Sequence, residues 1–319
     1  MLDTNSPLYN TELFGLIILL TTWRDREKLK TPEILYKYTT ASTATIVLES
    51  GRLRWSNPSQ FNDLHEIQVM PVFSPSLKED WESYLLAIVD STYNENLPAV
   101  SVLSPHTLVL LDLLKQLKIT GKSKQELFKT IKMSCPFDNN VMEDILRNFK
   151  NSIGIEYARI FCLTSSPTNE VMWAHYASNH AGCVLGFRHI EDGTPFSEAK
   201  PVKYCEGKPV IGTGKSFLLC GATPELKQKT IEAIFYTKQL IWDYEKEWRV
   251  ITWRHNETNT NFGDYKFYSE ELESVTFGAR IEIHEKNTIN CMMQEKYPSA
   301  KTYEIVSKNG ESKRVLVNG

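Results

Sequence analysis

Residues 34–56 constrain the fold most tightly, because a strand, a helix, a glycine and a second strand follow one another there with almost no linker. Ile34 to Tyr38 is apolar and aromatic and is entered just after Pro32, which predicts a short strand. From Thr39 to Ser50, Ala41, Ala44, Thr45 and Leu48 fall at helical spacing behind Thr or Ser caps. Gly51 stands where a helix commonly ends in the left-handed conformation. Leu53 to Ser56 is the second strand, and the turn-rich loop Asn57-Pro58-Ser59-Gln60-Phe61-Asn62-Asp63 leaves it directly. Loops in that position often carry binding groups. Self-capping by Asn and Asp is the plainer use.

The rest of the chain mixes both periodicities. Residues 75–150 show heptad-like apolar spacing and many lysines, which predicts a helical insertion. Ile160 to Leu163 and Gly182 to Phe187 read as short buried strands flanking a helix that carries Met172 to Asn179. Val202 to Tyr204 reads as another strand, Leu226 to Gln239 as an amphipathic helix, and Trp248 to Trp253 alternates as a strand should. Val275 to Gly278, a helix from about Glu285 to Gln294 and a final strand from Lys301 to Val306 complete the pattern. The expectation is a single α+β domain over 1–319, with a helical lead-in at 1–30 and the insertion at about 75–150.

Composition excludes several classes. A chain of 319 residues, 41% hydrophobic and 24% charged, can bury a sizeable core without staples. Its net charge of -3 sets up no global field for nucleic acid. A local basic stretch exists, with Lys115, Lys118, Lys122, Lys124, Lys129 and Lys132 set against Glu126 alone. It reads as a solvated helix face or, alternatively, as a phosphate-contacting surface. The cysteines at 135, 162, 183, 205, 220 and 291 form no CxxC and no zinc spacing, which points to a reducing compartment. Leu13 to Leu20 is apolar but too short to span a bilayer, and it lacks the flanks of a signal peptide. The expected location is cytoplasmic, with no membrane partner.

Gly212-Thr213-Gly214-Lys215-Ser216 lacks the early glycine of a phosphate-binding P-loop, since Pro209 stands there. His65-Glu66 lacks the second histidine of a zinc-protease helix, and no Gly-x-Ser-x-Gly elbow occurs. The strongest chemical signal is Trp242-Asp243-Tyr244-Glu245-Lys246-Glu247-Trp248-Arg249. In a strand, Glu245, Glu247 and Arg249 would share one face, and such charges between aromatics must be paired or at work. The alternatives are a structural Arg249–glutamate bridge, or a glutamate that faces a cleft and steadies a cation-like transition state. Met172-Trp173-Ala174-His175-Tyr176 sets Met172 over His175 and Trp173 over Tyr176 at i, i+3. That is either a core helix, or an aromatic wall with a histidine able to orient a polar group.

Together these strings resemble the bacterial domain of unknown function 2971. Its members show Leu-Tyr-Lys/Arg-Tyr, a Phe-Asn-Asp-Pro-Phe-Glu loop, Met-Trp-x-His-Tyr before a Gly-x-x-x-Gly-Phe strand, and Trp-x-Tyr-Glu-x-Glu-Trp/Tyr-Arg. The matches here are Leu35 to Tyr38, Phe61-Asn62-Asp63, Met172 to Tyr176 with Gly182 to Phe187, and Trp242 to Arg249. They cover about residues 34 to 295, and Leu64-His65 departs from the usual Pro-Phe. A second resemblance is to the NAD-dependent ADP-ribosyltransferase superfamily, through Tyr36-Lys37-Tyr38-Thr39 and Gly51-Arg52-Leu53. It implies a split mixed/antiparallel sheet core with the helical insertion and NAD as co-substrate, with no metal expected. It also implies that Glu247 is the catalytic glutamate, with Glu245 completing a Glu-x-Glu pair; His175 joins the catalytic candidates as a histidine able to move a proton. The cofactor-binding set would be Tyr36, Lys37, Tyr38, Ser56, Asn62, Trp173, Tyr176 and Arg249, with Ser56 and Tyr176 competing for the second-motif position. By analogy the acceptor would be a macromolecule, RNA or DNA included. The setting would be a bacterial toxin, with an antitoxin or chaperone partner, or an antiviral defence effector. A non-enzymatic nucleic-acid or peptide binding module, and a metal-independent nuclease using His175 and Glu247, are the competing readings.

Overall fold

The computed structural model describes residues 31–63, 65–94, 100–132, 139–190, 194–256, 260–308 and 311–317. The lead-in at 1–30, with Leu13 to Leu20, and Leu64 of the loop lie outside them. The described residues fall into two compact units. One contains 67–152 and 207–235, and the other 31–66, 153–206 and 236–317. Helices and a mixed parallel and antiparallel sheet make the chain α+β. No helix among the described residues is long and apolar enough to cross a membrane.

The sheet unit opens as the sequence predicts. Strand β1 (Ile34–Thr39) runs into helix α1 (Ala41–Ser50), whose Thr40 side chain caps the Thr43 N–H. Gly51 ends the helix at φ 62°, where a side chain would be strained, and β2 (Arg52–Ser56) follows. Next come β3 (Ala158–Thr164), α2 (Glu170–Tyr176), β4 (Cys183–Arg188), β5 (Lys200–Pro201), β6 (Lys203–Cys205) and β7 (Thr237–Gln239). The series ends with β8 (Glu247–Trp253), β9 (Phe262–Lys266), β10 (Leu272–Phe277), α3 (Ile283–Lys296), β11 (Lys301–Lys308) and β12 (Glu311–Leu316). Lys301 to Val306 therefore begins the penultimate strand and not the last, because β12 folds back on β11 to form the sheet edge.

The order β9-β2-β3-β1-β4-β10-β11-β12 gives the sheet its shape, with β8 and β5 added on the far side of β3. Along one edge β3 pairs with all of β8, from Glu247 opposite Thr164 to Trp253 opposite Ala158. Its other edge is shared. Tyr36 of β1 pairs with Thr164 at one end, and Ser56 of β2 pairs with Ile160 at the other. The sheet therefore splits opposite Cys162, between two strands that α1 connects.

Alternation divides the side chains between two faces. Leu35, Leu53, Trp55, Phe161, Leu163, Trp248 and Val250 join a large core that also takes in residues of α1 and α3. On the opposite face Tyr36, Tyr38 and Val184 pack with Met172, Trp173 and Ala177 of the α2 region.

In the helical unit, helices Leu77–Asn94, Pro105–Ile119, Lys124–Ile131, Gly214–Cys220 and Pro224–Phe235 share a core centred on Leu85, Ile88, Leu114 and Leu127. Helix Asn139–Ser152 contributes Leu146 to it. Val72–Phe73 and Val210–Gly212 form a short parallel ladder at its side. Several of the clustered lysines have partners within this unit. Lys118 donates to the Thr92 carbonyl and lies over the Tyr93 ring, Lys132 pairs with Glu82, and Lys124 pairs with Asp90. Gly212 to Ser216 connects a short strand to a helix. Its first-turn N–H at Lys215 is nevertheless taken by the Asp80 carboxylate, which puts an acid where a phosphate would have to sit.

Candidate functional site: a buried carboxylate cluster beside the sheet split

The segment Trp242 to Arg249 enters its strand later than alternation alone suggests. Leu240–Glu245 is a 3-10 helix, Lys246 turns the chain at φ 43°, and β8 starts at Glu247. Glu245 is therefore delivered by the turn and not by the pleat. It still converges with Glu247 and Arg249, because Lys238 of β7 stands between the two glutamates.

Lys238 Nζ lies 2.6 Å from Glu245 Oε2, 3.4 Å from Glu247 Oε2 and 3.5 Å from Glu66 Oε2. Arg249 clasps Glu247 with Nε at 2.8 Å and Nη2 at 2.9 Å, and the same Nη2 bonds Glu66. All five side chains are buried, Arg249 completely. Two rings complete the enclosure, with Phe61 5.7 Å from the Arg249 guanidinium and Trp242 4.8 Å from the Lys238 ammonium. Three carboxylates thus face two cations in a site that removes their water, an arrangement that is costly unless the pairing is close.

The surrounding groups set the proton affinities. Burial raises that of the Glu247 carboxyl, and Lys238 and the Cys162 thiol pull it back. Burial works against the Lys238 charge, yet Glu247 and Glu245 outweigh it and hold its proton above the ordinary lysine range. Burial pushes the Arg249 guanidinium down to about 9, with Asp63 opposing, so it stays cationic at neutral pH. Burial and then the Glu247 charge push the Cys162 thiol far up, which keeps it protonated as a donor to that carboxylate. The Glu247 backbone N–H is taken by the Tyr204 hydroxyl at 2.7 Å.

A hydrogen-bonded chain leads from the cluster to solvent. Tyr176 donates to Glu245 Oε1 at 2.6 Å and accepts from the exposed Asn62 at 3.1 Å. Burial, followed by Glu245, raises the Tyr176 hydroxyl above its ordinary range, so it acts as a donor throughout neutral pH. Lys37 approaches from the other face. Its Nζ donates to the Cys162 carbonyl at 2.9 Å, in the gap where β1 and β2 part, and lies 5.1 Å from the Phe161 ring.

Other residues expected at a cofactor site are placed elsewhere. Tyr36 occupies the same row as Glu247, with Thr164 between them, or about 10 Å away at two strand spacings. Its ring packs toward Gly186 and the Arg314 guanidinium. Tyr38 fastens the loop before α2, donating to the Ser166 carbonyl and accepting the Asn169 N–H. Trp173 is a core ring and not a pocket wall. It is fully buried edge-on to Tyr38 and stacked with His180, and its indole N–H bonds the Pro167 carbonyl. Ser56 ends β2 opposite Ile160 and Phe262, and it makes no hydrogen bond to the cluster. His175 is exposed and faces the Tyr244 hydroxyl at 3.4 Å.

Two members of the cluster went unseen in the sequence. Glu66 had a signal, because it is the glutamate that closes the loop pattern opened by Phe61-Asn62-Asp63. Lys238 had almost none, since Leu226 to Gln239 reads as one helix. The helix in fact stops at Phe235, and Thr237–Gln239 pairs with β6. No group of three or more His, Cys, Asp or Glu that could hold a metal ion occurs among the described residues.

Residues 172–250 match the model of a family described as a protein of unknown function (DUF2971). The match runs from Met172 to Val250 and so includes Tyr176, Lys238, Glu245, Glu247 and Arg249. It supports the resemblance to that family over this stretch, whereas Leu35 to Tyr38 and Phe61 to Glu66 lie outside it. Neither the curated proteins nor the solved structures contain a match.

Proposed function

We propose that the chain is an NAD-dependent ADP-ribosyltransferase acting on a macromolecule, with Glu247 as the carboxylate at the reacting carbon. The observation that carries this reading is the pairing of Glu247 and Glu245 beside the split in the sheet. A Lys37 amine lies in the gap, and a tyrosine links the pair to solvent. In the reaction the bond between nicotinamide and the ribose anomeric carbon breaks, and its electron pair leaves with the nicotinamide. The developing oxocarbenium centre is steadied by the Glu247 carboxylate. A nucleophile of the acceptor bonds to that carbon, and its proton passes to Glu245, whose Oε1 Tyr176 holds as a hydrogen-bond donor and which releases the proton to solvent. Opening of the Phe61–Glu66 loop, which supplies both Phe61 and Glu66 to the cluster, would expose the carboxylates to substrate. Toxin and phage-defence roles, an antitoxin or chaperone partner and a cytoplasmic setting belong to this proposal by analogy only.

The saturation of Glu247, with Arg249 on both oxygens, favours a second reading in which the cluster only fastens the loop of a non-enzymatic binding module. Incubation with labelled NAD and separate pools of protein, DNA and RNA decides between them. Label transferred to one pool is the expected result. NAD left intact with every pool selects the binding module, and RNA cleaved without NAD selects the nuclease.

A further inference from the structure

One buried lysine is shared among three carboxylates. Glu245 comes from the 3-10 helix, Glu247 from β8 and Glu66 from the loop after β2, and the Lys238 ammonium contacts each. Arg249 holds both oxygens of Glu247 and reaches Glu66. Lys238 thus bridges Glu245 and Glu247, the two glutamates of the proposed reaction. We propose that Lys238 is a positioning residue, whose ammonium keeps Glu247 ionised and sets its spacing from Glu245. This inference rests on the reading of Glu247 as the reacting carboxylate.

The groups that face Lys238 and Glu247 come from every neighbouring element. They include Glu66, Glu245 and Arg249, with Tyr244 from the 3-10 helix, Tyr176 from α2, Tyr204 from β6 and Cys162 from β3, while Lys37 of β1 reaches the Cys162 carbonyl from the other face. The tyrosines and the thiol are protonated at neutral pH, so the three carboxylates face the charges of Lys238 and Arg249. Replacing Lys238 with a neutral side chain leaves Glu245 and Glu247 without their shared countercharge, and Glu247, whose carboxyl burial already pushes up, takes up a proton. Neutralising Glu66 has the opposite effect, because both cations are then left to the remaining pair.

The test compares Lys238→Met, Lys238→Arg and Glu66→Gln with the wild-type chain in two measurements. One is the infrared signature of a buried protonated carboxyl as a function of pH, assigned to Glu247 by its loss in a Glu247→Gln background. The other is the acidic limb of the pH profile for NAD turnover. Lys238→Met is expected to move both upward by roughly 1–3 pH units. Lys238→Arg is expected to restore them, and Glu66→Gln to move them downward. An unchanged carboxyl titration in Lys238→Met overturns the proposal whether or not the protein uses NAD. If Lys238→Met does not fold, an unmoved titration in Glu66→Gln overturns it instead. A shifted titration in a chain that leaves NAD intact supports Lys238 as the residue that sets Glu247's charge, and rejects only the proposed reaction.

Discussion

Glu247 concentrates the conflict in this molecule, since it is a carboxylate taken from water and then surrounded by two cations, a thiol and a second carboxylate. Burial makes its proton affinity higher in the folded chain than in the unfolded one. Between the ordinary glutamate range and the raised folded value, the folded state therefore holds more protons, and stability falls as pH rises. Thermal unfolding followed from about pH 4 upward should show that decline in the wild type and a flatter profile in Glu247→Gln. Equal slopes would mean that the neighbouring cations cancel burial completely. At this scale the sequence was informative about one side of each contact. Glu245, Glu247 and Arg249 stand out because charges set among tryptophans need partners. Lys238 and Glu66 do not stand out, because only tertiary convergence brings β7 and the Phe61–Glu66 loop against β8.

Elements fixed by local chemistry were readable, and those fixed by distant pairing were not. The Thr40 cap, the Gly51 terminator and the alternation on either side define β1, α1 and β2 within a short window. Strand β12 has no such marks and exists through its ladder with β11. The turn from α2 to β4 shows the same dependence on distant contacts. Ser178, Asn179 and His180 all have positive φ, an unfavourable run for residues with side chains. The turn is held by N–H bonds from Gly278 to Gly182 and from Arg280 to His180. A Cβ on Gly278 would come within 2.1 Å of the His180 carbonyl oxygen, so Gly278→Ala must push the two segments apart. The expected loss is about 1–3 kcal/mol in denaturant unfolding, and unchanged stability would show that the turn yields freely.

For the whole molecule, the α+β class was legible from the mixture of periods, whereas a split in the sheet was expected only through the resemblance and not from any pattern of residues. The split depends on β1 and β2 each meeting β3 at a single register position, Thr164 and Ile160, which no local pattern encodes. The lysine-rich stretch, legible as charge, resolves into side chains partly committed to Asp90, Glu82, Thr92 and Tyr93 within the helical unit. The proposed chemistry accordingly rests on the sheet unit. It is tested most directly by measuring nicotinamide release from NAD by the wild-type chain and by Glu247→Gln, each first shown by circular dichroism to be folded. The account predicts release by the wild type and its loss in the variant. Release by a folded Glu247→Gln chain at the wild-type rate would contradict it.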